Sequence, residues 1–137
     1  MREIKFRAWD SKEKYMMTVD SIQFPAGGVL VCGPGAGSGW SSVVGDHSEE
    51  TIILEQFTGL KDYNGRDVYE GDILRYDIQD HNGTDHFYEN IVTFEGSEFG
   101  CKGDDPERWY WHPLSYIFEN DIEPQVVGNI HDKQRTI

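Results

Sequence analysis

Apolar and polar side chains alternate with period two in several short stretches of the chain, a pattern that predicts strands with one buried face. Ile4-Lys5-Phe6-Arg7-Ala8-Trp9 carries it, and Asp10-Ser11-Lys12-Glu13 then reads as a turn. Tyr15-Met16-Met17-Thr18-Val19 and Ser21-Ile22-Gln23-Phe24 stay extended as far as Pro25, which has no N–H to give a sheet ladder. Residues 26–45 are rich in Gly, Ser and small side chains and read as a surface loop between weak strands at 29–32 and 40–44. Thr51-Ile52-Ile53-Leu54-Glu55-Gln56-Phe57 predicts a further strand. Asn64-Gly65 predicts a two-residue type I′ hairpin, because both residues tolerate positive φ. Glu70-Gly71-Asp72 is a second tight turn. A strand over 73–78 should end at Asp80-His81-Asn82-Gly83 and return over 90–94. Extended segments at 98–101, 109–114 and 126–130 complete the pattern. Short strands punctuated by turns predict an all-β chain forming a small barrel or roll, since closing a sheet removes its exposed edges.

Length and composition set bounds on this picture. A chain of 137 residues is one domain of ordinary size, and its 4 Trp, 7 Tyr and 7 Phe supply large buried areas from few side chains. No run approaches the length of a membrane span, and Met1-Arg2-Glu3-Ile4-Lys5-Phe6-Arg7 lacks an apolar signal region, so a cytoplasmic protein is expected. Cys32 and Cys101 are too few for a disulfide framework or a zinc site and read as reduced thiols. Twelve Lys and Arg stand against 25 Asp and Glu, a formal charge of −13. Residues 81–110 hold seven acids against Lys102 and Arg108. Such a field repels phosphate backbones and attracts basic surfaces.

Four separated motifs carry a resemblance. Arg7-Ala8-Trp9-Asp10, Gln56-Phe57-Thr58-Gly59-Leu60-Lys61-Asp62 with Asn64-Gly65, Tyr69-Glu70-Gly71-Asp72-Ile73, and Val127-Gly128-Asn129-Ile130 occur in the order found in the YopX protein family of bacteriophages and prophages, which this chain resembles. The resemblance implies a mainly β fold, with additional N-terminal strands over 1–56 and an SH3-like barrel over 57–137, in a bacterial host cell. It implies no catalytic residues and no cofactor. The tail His131-Asp132-Lys133-Gln134-Arg135 departs from the usual continuation of the family.

His81, Asp85, His86 and Glu89 could ligate a metal if a hairpin gathered them, but their spacing fits no recognised ligand pattern. Asp62, Asp67, Glu70, Asp72 and Asp77 offer paired carboxylates, yet Asp62 and Asp72 flank turns, where Asp side chains cap backbone N–H groups. Gly33-Pro34-Gly35-Ala36-Gly37-Ser38-Gly39 contains no Lys and opens no helix, so it lacks the means to cradle phosphate. His112 has no identifiable partner and no Ser or Cys sits in a nucleophile elbow, so no enzyme is expected. Trp109, Tyr110 and Trp111 read either as a stacking platform or as a strand sending both indoles into a core. Arg2, Lys5, Arg7, Lys12 and Lys14 with Trp9 read either as a small basic, aromatic patch or, with four acids interleaved, as a solvated strand face; Arg7 and Trp9 join 109–111 in the candidate interaction surface.

Two functional classes follow. The first is a phage or prophage accessory module that binds a host or phage protein with a basic surface; the second is a nucleic-acid-binding barrel, which the charge disfavours. Homo-oligomers are left open, and no membrane partner is expected. The hairpin reading is testable at Gly65: replacement by Val would force a β-branched residue toward positive φ and should destabilise the protein by about 1–3 kcal/mol. An unchanged melting temperature would remove positive φ from that position.

Overall fold

The period-two segments form antiparallel strands throughout the computed structural model, which describes residues 3–24, 29–32, 41–44, 52–103, 110–120 and 122–132. In chain order these are β1 (Phe6–Asp10), β2 (Tyr15–Thr18), β3 (Ser21–Gln23), β4 (Val29–Cys32), β5 (Ser41–Val44), β6 (Ile52–Lys61), β7 (Asp67–Tyr69), β8 (Asp72–Gln79), β9 (Asp85–Glu95), β10 (Glu98–Lys102), β11 (Trp111–Pro113), α1 (Leu114–Glu119) and β12 (Gln125–Asn129). The all-β expectation holds. The Gly-rich run 33–39 and Trp109 lie outside the described residues, as does the side chain of Cys32.

The described residues divide between Gln56 and Phe57 into two compact units. In the first, β1 lies between β2 and the opening half of β6, in registers Ala8↔Met17 and Ala8↔Leu54. Ala8, Met17, Val31 and Ile52 are buried together, with Val19 and Leu54 packed against them. β3, β4 and β5 make a separate three-stranded sheet. The turn after β1 is held by Asp10, whose Oδ1 accepts from the N–H groups of Lys12 and Glu13, each at 2.9 Å.

In the second unit the closing half of β6 pairs with β7, and five strands follow in the order β11-β10-β9-β8-β12. Val68, Leu74, Val92, Cys101, Leu114 and Ile117 are buried on its inner side. Full burial of each aliphatic member contributes about 1.5–3 kcal/mol relative to exposure. α1 was not anticipated. Its Leu114 and Ile117 stand three residues apart and put one helical face into this core, while Pro113 precedes the first turn, where its missing N–H costs nothing.

The turns explain why the family motifs are where they are. Gly65 has φ +83° as expected, but Asn64 is not in the left-handed region, so the loop is not the expected type I′ turn. Gly65 N–H bonds the Asp62 carbonyl at 3.0 Å and Asp62 N–H bonds the Arg66 carbonyl at 2.7 Å, which makes a three-residue loop with a glycine bulge. Asp62 Oδ1 accepts from the N–H groups of Asn64 and Arg66 at 2.9 and 2.8 Å. The same construction recurs at Asp80-His81-Asn82-Gly83-Thr84. There Asp80 Oδ1 accepts from Asn82 and Thr84 at 2.8 and 3.0 Å, and Gly83 has φ +81°.

One bond separates the two loops. Asp62 Oδ2 reaches across to the Val126 N–H of β12 at 2.8 Å, flanked by Tyr63 N–H to the Pro124 carbonyl at 2.9 Å. The 62–66 turn therefore covers β12 on the side away from β8. Pairing within the five-stranded sheet stops at β11 and β12, so its strand order alone does not close the SH3-like barrel expected over 57–137.

Further along β12, a Cβ at Gly128 would meet the Asp132 carboxylate, whose Oδ2 accepts from Asn129 N–H at 2.9 Å. Gly128 thus leaves room for the carboxylate that holds the Asn129 N–H. Asp62 is 6% exposed and accepts three backbone N–H groups, whereas Asp80 occupies an exposed loop. Asp62→Ala strands those donors and should cost about 1–3 kcal/mol, measured by urea denaturation. Asp80→Ala should lower the midpoint by clearly less, and equal effects would mean that the bond to β12 adds nothing.

Candidate binding surface

Register sets the side chains that meet on the inner face of β8 and β9. Leu74↔Asn90 and Tyr76↔Tyr88 are direct cross-strand pairs, and Cys101↔His112 brings β10 and β11 to the same side. The result is a polar, aromatic layer beside the aliphatic core. Tyr76 and Tyr88 stack with centroids 5.3 Å apart. His112 lies edge-on to Tyr88 at 4.9 Å, and Tyr110 sits 4.8 Å from His112.

Hydrogen bonds connect the polar side chains of this layer. Tyr110 O–H donates to Asn90 Oδ1 at 3.1 Å, and Asn90 Nδ2–H donates to Tyr76 Oη at 3.1 Å. Tyr76 Oη shares a further hydrogen bond with His112 Nδ1 at 2.7 Å. Burial holds the His112 pKa below the ordinary value, which favours the neutral ring. Burial also raises the Tyr76 hydroxyl, helped by the adjacent Cys101, and pushes the Cys101 thiol up to about 12. A thiol so protonated and fully buried is inert as a nucleophile. What the layer offers outward is ring surface, from half-buried Tyr88, Tyr110 and His112.

The expected surface is divided by the fold. Tyr110 joins the inner layer, its ring occupying the space a Cβ at Gly103 would need. Trp111 points to the opposite face, covers Gly100 in the same way and donates from Nε1 to Glu98 Oε1 at 2.9 Å. Adjacent strand residues face opposite ways, so Tyr110 and Trp111 cannot share a platform. Arg7 and Trp9 belong to the first unit. The Arg7 guanidinium is bound to Glu55 at 2.9 Å and Trp9 is fully buried, so they do not present the basic, aromatic patch the sequence suggested.

The other candidates are similarly placed. His86 Nε2 lies 2.9 Å from Asp80 Oδ2, while Asp85 and Glu89 fall on the other face of β9, with Glu89 bound to Arg75 at 2.6 Å. No group of three metal-ligating side chains occurs among the described residues. Asp72 accepts from Tyr69 N–H at 2.8 Å, the turn role expected of it, and Asp67 is bound to Lys61 at 2.8 Å. His112, read from the sequence as lacking a partner, has Tyr76. The missed signal was the cross-strand register of 74, 76, 86, 88 and 90, which the hairpin at Asp80–Thr84 sets.

Comparison with known proteins agrees with this fold. The model of the family described as YopX protein matches residues 5–136. Among solved structures, protein EF1440 from Enterococcus faecalis is similar, with 25% sequence identity and a TM-score of 0.52 over 98% of this chain and 97% of that one. No curated protein matches the sequence.

The state of His112 has a measurable consequence. Its folded pKa lies below its unfolded one, so on acidification through about pH 6.5 the unfolded chain gains a proton that the folded chain resists. Stability should fall in that window, and less so in His112→Gln. The ring should titrate by NMR below the ordinary value, and a midpoint above it would show that burial does not govern its charge.

Proposed function

The chain belongs to the YopX protein family, and we propose that it works as a non-enzymatic accessory module of a phage or prophage, binding a basic segment of a host or phage protein in the bacterial cytoplasm. The observation that carries this reading is the half-buried ring surface of Tyr88, Tyr110 and His112, locked in place by the Tyr110–Asn90–Tyr76–His112 hydrogen bonds. Ring faces carry negative potential and attract Lys and Arg, and pre-set side chains lose little entropy when a ligand arrives. A neutral imidazole adds no repulsion to a cation. The charge of −13 favours a basic partner and speeds its approach.

Nucleic acid is the competing occupant, since bases also stack on such rings. The charge distribution supports the protein partner instead. Arg7, Lys61, Arg75 and Lys102 are each held by a carboxylate, namely Glu55, Asp67, Glu89 and Glu95, and so are poorly placed to neutralise phosphates.

Fluorescence anisotropy with a short Lys- and Arg-rich peptide and with duplex DNA tests the choice. The peptide should bind at low ionic strength and weaken as the screening length falls from about 8 Å at 0.15 M to about 3 Å at 1 M salt. Tyr88→Leu with Tyr110→Leu should remove about 0.5–2 kcal/mol of that binding. Preferential binding of DNA, or a peptide affinity indifferent to both tyrosines, would contradict the proposal.

A further inference from the structure

Beside the turn that covers β12, the second unit has a cleft of about 300 Å³. The rings of Tyr63 and Phe118, with Ile122 and Pro124, supply apolar lining, and Glu119 and Glu123 supply carboxylates. Tyr63 is 61% exposed, an aromatic ring left in water at the rim. Lys61 also lines the cleft, but its ammonium is committed to Asp67 at 2.8 Å. Among the described residues neither Glu119 nor Glu123 forms an ion pair or a side-chain hydrogen bond.

Both glutamates sit where local physics disfavours them. Glu119 ends α1, where the helix dipole is negative and a cation would be preferred; no basic residue lies in that last turn. Glu123 has φ +55°, a left-handed conformation in which Gly or Asn would be unstrained. The backbone bond from Tyr63 N–H to the Pro124 carbonyl fixes the next residue. Two unpaired carboxylates beside exposed aromatic surface make the cleft complementary to a cation.

We propose that this cleft receives a single arginine side chain of the basic partner, an inference that rests on the reading of the chain as a binder of basic segments and adds a second contact to it. The volume is at the small end of ligand pockets and suits one side chain better than a whole small molecule. A guanidinium is planar, stacks on aromatic rings and bonds carboxylates through a fork of N–H donors, which matches the lining. Lysine offers a point charge without the stacking plane. A calcium ion needs about 6–8 oxygen ligands, more than two glutamates bring.

The test is an NMR titration of the labelled protein with Nα-acetyl-arginine methylamide, and with the norleucine analogue as an uncharged control. Arginine should shift the amides of Tyr63, Phe118 and Ile122 in a saturable way, with affinity about tenfold weaker in Glu119→Gln/Glu123→Gln. Both glutamates are exposed, so the Gln variants should fold normally. Absent shifts, equal shifts with norleucine, or indifference to the Gln changes would each overturn the assignment. If the basic peptide binds while arginine leaves the cleft unperturbed, the cleft assignment alone fails. If arginine fills the cleft while the peptide does not bind, the cleft assignment stands and the wider reading fails.

Discussion

The second unit depends on the Asp62 carboxylate. A sheet in the order β11-β10-β9-β8-β12 leaves a row of unpaired backbone groups along β12, and such an edge invites association. Asp62 caps that edge at Val126, accepting its N–H with one oxygen and the turn's own Asn64 and Arg66 N–H groups with the other. One nearly buried charge thus joins the β6–β7 hairpin to a strand that lies more than sixty residues further along the chain. Three backbone donors compensate its lost hydration, which is the condition under which a carboxylate can be buried without a cation. The cleft at Tyr63, Phe118 and Glu123 lies beside the same junction.

A second constraint acts on the inner face. Tyr76 and Asn90 are buried polar side chains next to Leu74, Val92 and Cys101, and each needs a partner. Linking Tyr110, Asn90, Tyr76 and His112 in one series of hydrogen bonds satisfies them and holds the His112 ring. The rings are thereby fixed before any partner arrives. Ring surface, rather than an activated nucleophile or base, is the chemistry this layer displays.

Much of the architecture was legible because period two is a direct reading of the pleat: the strand segments around β1, β2, β8, β10 and β12 follow from it. The turn residues were legible too, although Asn64-Gly65 was assigned to the wrong turn. The decisive residue stands earlier, at Asp62, and its role is visible only on comparing Asp62-Tyr63-Asn64-Gly65 with Asp80-His81-Asn82-Gly83, where the same Asp-x-Asn-Gly order recurs. Helix α1 was hidden because a six-residue element shows too little periodicity. The candidate surface was misjudged for a different reason: proximity in sequence grouped Trp109, Tyr110 and Trp111, whereas the pleat separates Tyr110 from Trp111. Register, which no short motif encodes, assembles Tyr76, Tyr88, Tyr110 and His112 instead.

Amide hydrogen exchange at Val126 tests the role of Asp62 most directly. With its N–H held by the Asp62 carboxylate, Val126 should exchange only through global unfolding, far more slowly than Asn82 and Thr84, whose N–H groups are held by the matching Asp80 in the exposed loop. Exchange of Val126 as fast as those two amides would show that the turn does not clamp β12 and would contradict the account.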